Sequence, residues 1–231
     1  MKTIGLLGGM SWESTTGYYR AINEGIRARL GGLHSAKIVM HSVDFSPIEK
    51  LQRAGDWNGA ATILCEAALG VQQGGADCLL ICTNTMHKVA AQIESAIVIP
   101  LLHIADATAQ ELVKFGVKKV GLLGTGFTME EDFYKGRIRE KYGIEVLVPD
   151  KQDRNLVHQV IYDELCIGKV ECASRTQFLR IISELSAQGA EAVILGCTEL
   201  GMLVNQSDTP TPLFDTTAIH SAKAVAWALS D

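Results

Sequence analysis

The sequence carries one passage twice. "GADCLLICTNT" (75–85) aligns without a gap on "GAEAVILGCTE" (189–199), an offset of 114 that sets Cys197 on Thr83. "IGLLGGM" (4–10) returns as "VGLLGTG" (120–126) at an offset of 116, and "IPLLH" (99–103) as "TPLFD" (211–215) at 112. Three pairs in one order predict two copies of a single structural unit. Packed about a pseudo-twofold axis, the copies would set the Cys197 thiol opposite the Thr83 hydroxyl across one cleft.

Short apolar runs fall at 3–7, 37–42, 78–82, 101–104, 120–123, 145–148 and 192–195. Most do not alternate with polar residues, as expected of strands buried on both faces. Helical patterns occupy 14–30, 57–73, 108–114, 129–142, 154–165, 174–188 and 217–229. Strands alternating with helices predict an α/β fold of two similar open parallel-sheet (Rossmann-like) domains, with the active site in the cleft between them. The expected division is 1–103 plus 216–231 for the first domain and 104–215 for the second, the last helix crossing back to the first copy.

Composition removes several functions. The chain has 231 residues, 47% of them hydrophobic, which suffices for a substantial core. Its 21 Lys and Arg against 26 Asp and Glu give a net charge of −5. The basic residues are scattered, so there is no stripe for nucleic acid. No apolar run reaches membrane-spanning length. The first apolar stretch is broken by Gly5, Gly8 and Gly9 before Glu13, which reads as strand and loop and not as a leader peptide. The six cysteines show no CxxC or CxxH spacing. A metal site or a disulfide framework is not expected, and a reducing cytoplasm is the default location.

In open α/β sheets ligands bind beyond the carboxyl ends of the strands. Four loops leave such ends, at 8–12, 82–87, 124–128 and 196–200, and all are rich in Gly, Ser, Thr or Asn. Backbone N–H groups there can bind carboxylates, and the hydroxyls can equally cap helices. The glycine patterns match neither the dinucleotide nor the P-loop fingerprint, so no nucleotide cofactor is expected. Cys197 follows Gly196 at the end of an apolar run. Helix-start amides there are expected to pull its thiol toward neutrality, making it a base or nucleophile. Thr83 can hydrogen-bond but cannot ionise near neutral pH. Strand alternation turns Cys82 into the packing layer. His87 is a candidate acid or orienting group. Trp12 either lids the cleft or packs under the 14–30 helix.

"GLLGGMSWEST" at 5–15, "CTNTMHK" at 82–88 and "GCTEL" at 196–200 resemble the aspartate/glutamate racemase family over essentially the whole chain. The opening GGMSW is similar to its broad-specificity amino-acid racemase branch. The resemblance implies cofactor-independent proton transfer at the α-carbon of an acidic amino acid, with two cysteines flanking the substrate. Cys197 matches the second of these, which serves the L-enantiomer. Thr83 fills the slot of the first. The implied enzyme is therefore a racemase selective for the L face, with Thr83 delivering a proton directly or through water.

The resemblance also suggests substrate contacts from Met10, Gln52, Asn84, Thr85, Thr125, Thr128 and Thr198. Gln52 aligns, better than Arg53, with a substrate arginine of some relatives. Cys166 stands where some relatives carry a lysine, and Lys169 is close enough in sequence to replace that cation. The implied partner is a small amino acid, and a homodimer is plausible by resemblance. Two other readings remain open at this point. One is a single-cysteine decarboxylase of the wider superfamily. The other is a non-catalytic binder of an acidic amino acid.

Overall fold

The computed structural model describes residues 1–230. The elements run β1 (Ile4–Gly8), α1 (Trp12–Leu30), β2 (Ile38–Ser42), α2 (Phe45–Ala54), α3 (Trp57–Gln73), β3 (Cys78–Ile81), a 3-10 turn (Thr85–Val89) and α4 (Ala90–Ala96). There follow α5 (Ile104–Lys114), β4 (Lys119–Gly124), α6 (Gly126–Glu130), α7 (Asp132–Tyr142), β5 (Glu145–Leu147), α8 (Lys151–Asp163), α9 (Cys172–Ala187), β6 (Ala192–Gly196), α10 (Leu200–Leu203), β7 (Leu213–Asp215) and α11 (Thr216–Ala228). The chain forms two compact units, residues 1–104 with 220–230, and Ala105–Ile219. The return point lies inside α11, four residues beyond the expected 216.

Each unit is built on a parallel sheet, in the order β2-β1-β3 in the first and β5-β4-β6-β7 in the second. The registers repeat. Ile4 faces Cys78 and Leu79 bridges Leu101 in the first unit; Val120 faces Ala192 and Val193 faces Leu213 in the second. These are the 116, 114 and 112 offsets of the sequence, now as hydrogen-bonded ladders. The architecture is the expected α/β fold with parallel sheets.

Strand periodicity of two explains the first unit's core. Leu7, Leu79 and Ile81 join Ile48, Leu64, Val71 and Ile93 on one face of the sheet. Ile4, Leu6, Cys78, Leu80 and Cys82 join Tyr18, Ile22, Ile26 and, from α11, Ala224, Val225 and Ala228 on the other. Both faces are covered, so the strands are apolar throughout. Cys82 is wholly buried in the second layer.

Four expectations change. The strand expected at 101–104 is a single bridge at Leu101, because Ile104 already opens α5. The helix expected over 129–142 is two, broken where Glu131 takes an extended backbone. Trp12 opens α1 and is 66% exposed, so it does not pack beneath that helix. Helix α2 has no counterpart among the expected helices. Asp44 caps it by accepting from the Ser46 amide, and Pro47 sits in the first turn, where a missing N–H costs little.

Candidate active site

The second unit presents its reactive group at the end of β6. Gly196 is required there: a Cβ would lie 2.7 Å from Leu122 Cδ1 and 2.8 Å from the Leu123 carbonyl oxygen. This close approach of β6 to β4 fixes where Cys197 leaves the sheet. Cys197 is 8% exposed. Its Sγ donates to Glu199 Oε2 at 3.0 Å, and Thr198 Oγ1 donates to the same oxygen at 2.7 Å. The Leu200 amide then closes the turn on the Cys197 carbonyl. Glu199 is buried at 2% exposure.

The expected acidification of Cys197 is overturned. Burial pushes its thiol well above the ordinary value, and the Glu199 carboxylate and the Cys166 thiol push the same way. The backbone N–H of Glu199 does pull downward, as the turn predicts, but it is the least of these effects. Desolvation and like charge outweigh one amide. The Cys197 sulfur is thus engaged with the Glu199 side chain.

Cys166 belongs to a 3-10 turn, Leu165–Ile167, that packs against α10, and it is half-buried. Thr125 caps α6: its Oγ1 accepts from the Thr128 amide at 3.3 Å and pairs with Thr128 Oγ1 at 3.1 Å. Both threonines are buried. Cys166, Thr125, Thr128, Cys197, Thr198 and Glu199 all belong to the second unit.

Thr83, Asn84, Thr85, Gln52 and Met10 belong to the first unit and are buried. Thr83 leaves β3 just after Cys82, whose amide still bonds the Leu7 carbonyl. His87 reaches back and ties the loop. Its Nδ1 lies 2.8 Å from the Thr83 carbonyl oxygen, while the Ile104 amide donates to its Nε2 at 3.2 Å. A nitrogen that accepts an N–H carries no proton, so the proton sits on Nδ1 and is given to Thr83. Gln52 lies on the last turn of α2 and its Nε2 donates to Met86 Sδ at 2.7 Å. Met10 packs in the layer around Leu7. The GGMSW loop is held by Thr15, whose Oγ1 accepts from the Gly9 amide and donates to the Ser11 carbonyl.

In the sequence, Glu199 is only the last residue of the GCTE passage, two positions after Cys197. Its carboxylate turning back onto the thiol depends on the backbone of the turn and on burial, and neither has a sequence signal. Among the described residues, no group of three or more His, Cys, Asp or Glu is placed to hold a metal ion. No helix among them is long and apolar enough to cross a membrane.

Known proteins share this fold and sequence. A candidate Asp/Glu racemase from Yersinia pestis, known as a crystal structure, is 55% identical, with full coverage of both chains and a TM-score of 0.92. An aspartate racemase homologue from Pyrococcus horikoshii OT3 is 34% identical, again over both whole chains, at a TM-score of 0.86. The broad-specificity amino-acid racemase RacX of Bacillus subtilis (strain 168) is 24% identical over 229 residues, 98% of each chain. The sequence profile of the Asp/Glu/hydantoin racemases matches residues 7–224, from the end of β1 through both repeat passages and most of α11. Duplicated sheets, the Cys197 turn and this match together make the chain a member of the Asp/Glu/hydantoin racemase family of isomerases.

Proposed function

We propose that the protein racemises aspartate or glutamate without a cofactor. Cys197 removes the α-proton of the L-enantiomer as a thiolate, and Thr83 serves the opposite face of the same carbon. One observation carries the reading: the strand registers of the two units are equivalent, and by them Thr83 is the counterpart of Cys197. Family membership supplies the chemistry, and of the two groups only the Cys197 thiol is acidic enough to serve as a base; the Thr83 alcohol is not. The substrate carboxylates are met by the hydroxyls and amides of Asn84, Thr85, Thr125, Thr128 and Thr198, with Gln52, Met10 and Cys166 lining the rest.

An alcohol in place of the second thiol has a specific kinetic consequence. Enantiomers have equal energy, so kcat/KM for inversion is equal in the two directions. The asymmetry must therefore lie in exchange with retention of configuration. Cys197 can take the α-proton of an L-substrate, trade it with solvent and return it to the same face. The D-face has only an alcohol, which is a poor base.

Cys197→Ala tests the assignment. Exchange of the α-proton of L-aspartate and L-glutamate should fall by about 100-fold or more, while binding of either, followed by calorimetry, persists. Undiminished exchange in this variant would remove Cys197 from the reaction. Release of CO2 from a substituted malonate by the wild type, without amino-acid exchange, would point instead to decarboxylation.

A further inference from the structure

We propose that His158 is a positioning residue for the substrate. It takes the Gly126 amide, fixes the start of α6, and so sets the Thr125 and Thr128 hydroxyls where a substrate carboxylate is met. The inference rests on the racemase reading and adds to it the group that holds those contacts still.

Helix α6 spans only Gly126–Glu130. So short a helix is not held by its own hydrogen bonds, and its position comes from what it packs against. Met129, wholly buried, seats its last turn in the core. Helix α8 holds it by two rungs spaced four residues apart on both helices. The Gly126 amide donates to His158 Nδ1 at 3.1 Å, and Arg154 Nε donates to Glu130 Oε1 at 2.9 Å. Residues four apart share a helix face, so the two helices run antiparallel along these rungs.

The rungs are unequal. The Glu130 side chain is 51% exposed, and an ion pair so open to water contributes little. His158 is half-buried and its ring lies on Gly126, where a Cβ would sit 3.4 Å from Nδ1 and 3.9 Å from Cγ. The Phe127 ring meets the imidazole edge-on and the Tyr162 ring packs on it at 4.8 Å between centroids. A hollow of about 360 Å³ lies against the same side chains, so this side of α6 is not close-packed and the hydrogen bond does the fixing. Gly126 opens the helix, and an amide at that place has no partner within the helix. A nitrogen that accepts an N–H carries no proton, so the neutral imidazole bears its proton on Nε2.

The carboxylate contacts sit directly on this start. Thr125 precedes Gly126 and caps α6 through the Thr128 amide, and the two threonine hydroxyls stand 3.1 Å apart. Displacing Gly126 therefore displaces both hydroxyls together. Loss of contacts made equally in the ground state and the transition state raises KM and leaves kcat in place.

Two variants test the brace. His158→Leu keeps bulk and removes the acceptor. His158→Asn keeps an acceptor, since its Oδ1 stands as far along the side chain as Nδ1 does. KM for L-glutamate should rise about 10-fold in His158→Leu, the worth of one hydrogen bond, with kcat little changed, and should return toward the wild-type value in His158→Asn. A KM that stays at the wild-type value in His158→Leu, or that rises equally in both variants, overturns the proposal.

Amide hydrogen exchange at Gly126, followed by NMR, needs no substrate. It should quicken about 10-fold in His158→Leu and stay slow in His158→Asn. A wild type that exchanges no substrate α-proton refutes the racemase reading, while Gly126 protection judges the brace separately. Should His158→Leu not fold, the wild type still decides. Long-range proton–nitrogen correlation at about pH 8 must find the His158 proton on Nε2, the neutral form there being set by the Gly126 bond; a proton on Nδ1 overturns the proposal.

Discussion

His87 Nδ1 lies 2.8 Å from the carbonyl oxygen of Thr83, and its other ring nitrogen accepts from the Ile104 amide. One buried imidazole thus ties the loop after β3 to the start of α5. Two buried hydrogen bonds disappear in His87→Ala, leaving a carbonyl and an amide without these bonds. Stability should fall by about 1–3 kcal/mol, read from urea unfolding. Exchange in D2O should slow as the Thr83 loop loosens. Unchanged stability would mean that the brace carries no weight.

A second histidine gives a pH prediction. His220 is wholly buried; Tyr18 OH lies 2.9 Å from its Nδ1 and the Leu102 carbonyl oxygen 2.6 Å from its Nε2. The ring of His87 packs near it edge-on. Burial lowers its pKa from the ordinary 6.5 to about 4. The unfolded chain then binds a proton below 6.5 that the native state refuses until about 4. Stability from this group is intact above the upper value and is lost as pH falls between the two, by about 3 kcal/mol in all. Denaturant unfolding across the window should show that slope, and His220→Gln should remove it. An identical slope in the variant would assign it to other groups.

Gly196→Ala places a methyl against Leu122 and the Leu123 carbonyl. Backbone cannot yield as a flexible side chain does, so the cost should be about 1–3 kcal/mol. The displaced strand end carries Cys197, so exchange should drop as well. Wild-type stability and rate in this variant would show that the β4–β6 approach does not position the cysteine.

Thr83→Cys supplies the missing thiol. Exchange from D-glutamate should rise by about 10-fold or more, with exchange from L-glutamate retained. A D-rate that stays at the wild-type level would deny position 83 a place at the reacting carbon.

The sheets were legible in the sequence because strands buried on both faces leave unbroken apolar runs, and the duplication doubled each signal. β1, β3, β4 and β6 follow their runs to within a residue, and α3 occupies the whole of 57–73. Helix α2 is only ten residues long and carries Pro47 in its first turn, and its start rests on the Asp44 cap seen in the fold. The break at Glu131 has no breaker residue to announce it. The state of Cys197 was misjudged for a different reason. The favourable amide is local and visible in the motif, but burial and the carboxylate of Glu199 belong to the folded turn, and they prevail.

The most direct test of the central claim is separate incubation of L- and D-glutamate in D2O, with initial α-deuteration followed by NMR and configuration by chiral chromatography. The account predicts that L-glutamate gains deuterium faster than it inverts, and faster than D-glutamate gains it. Equal initial deuteration from both enantiomers would contradict a single thiol working opposite an alcohol.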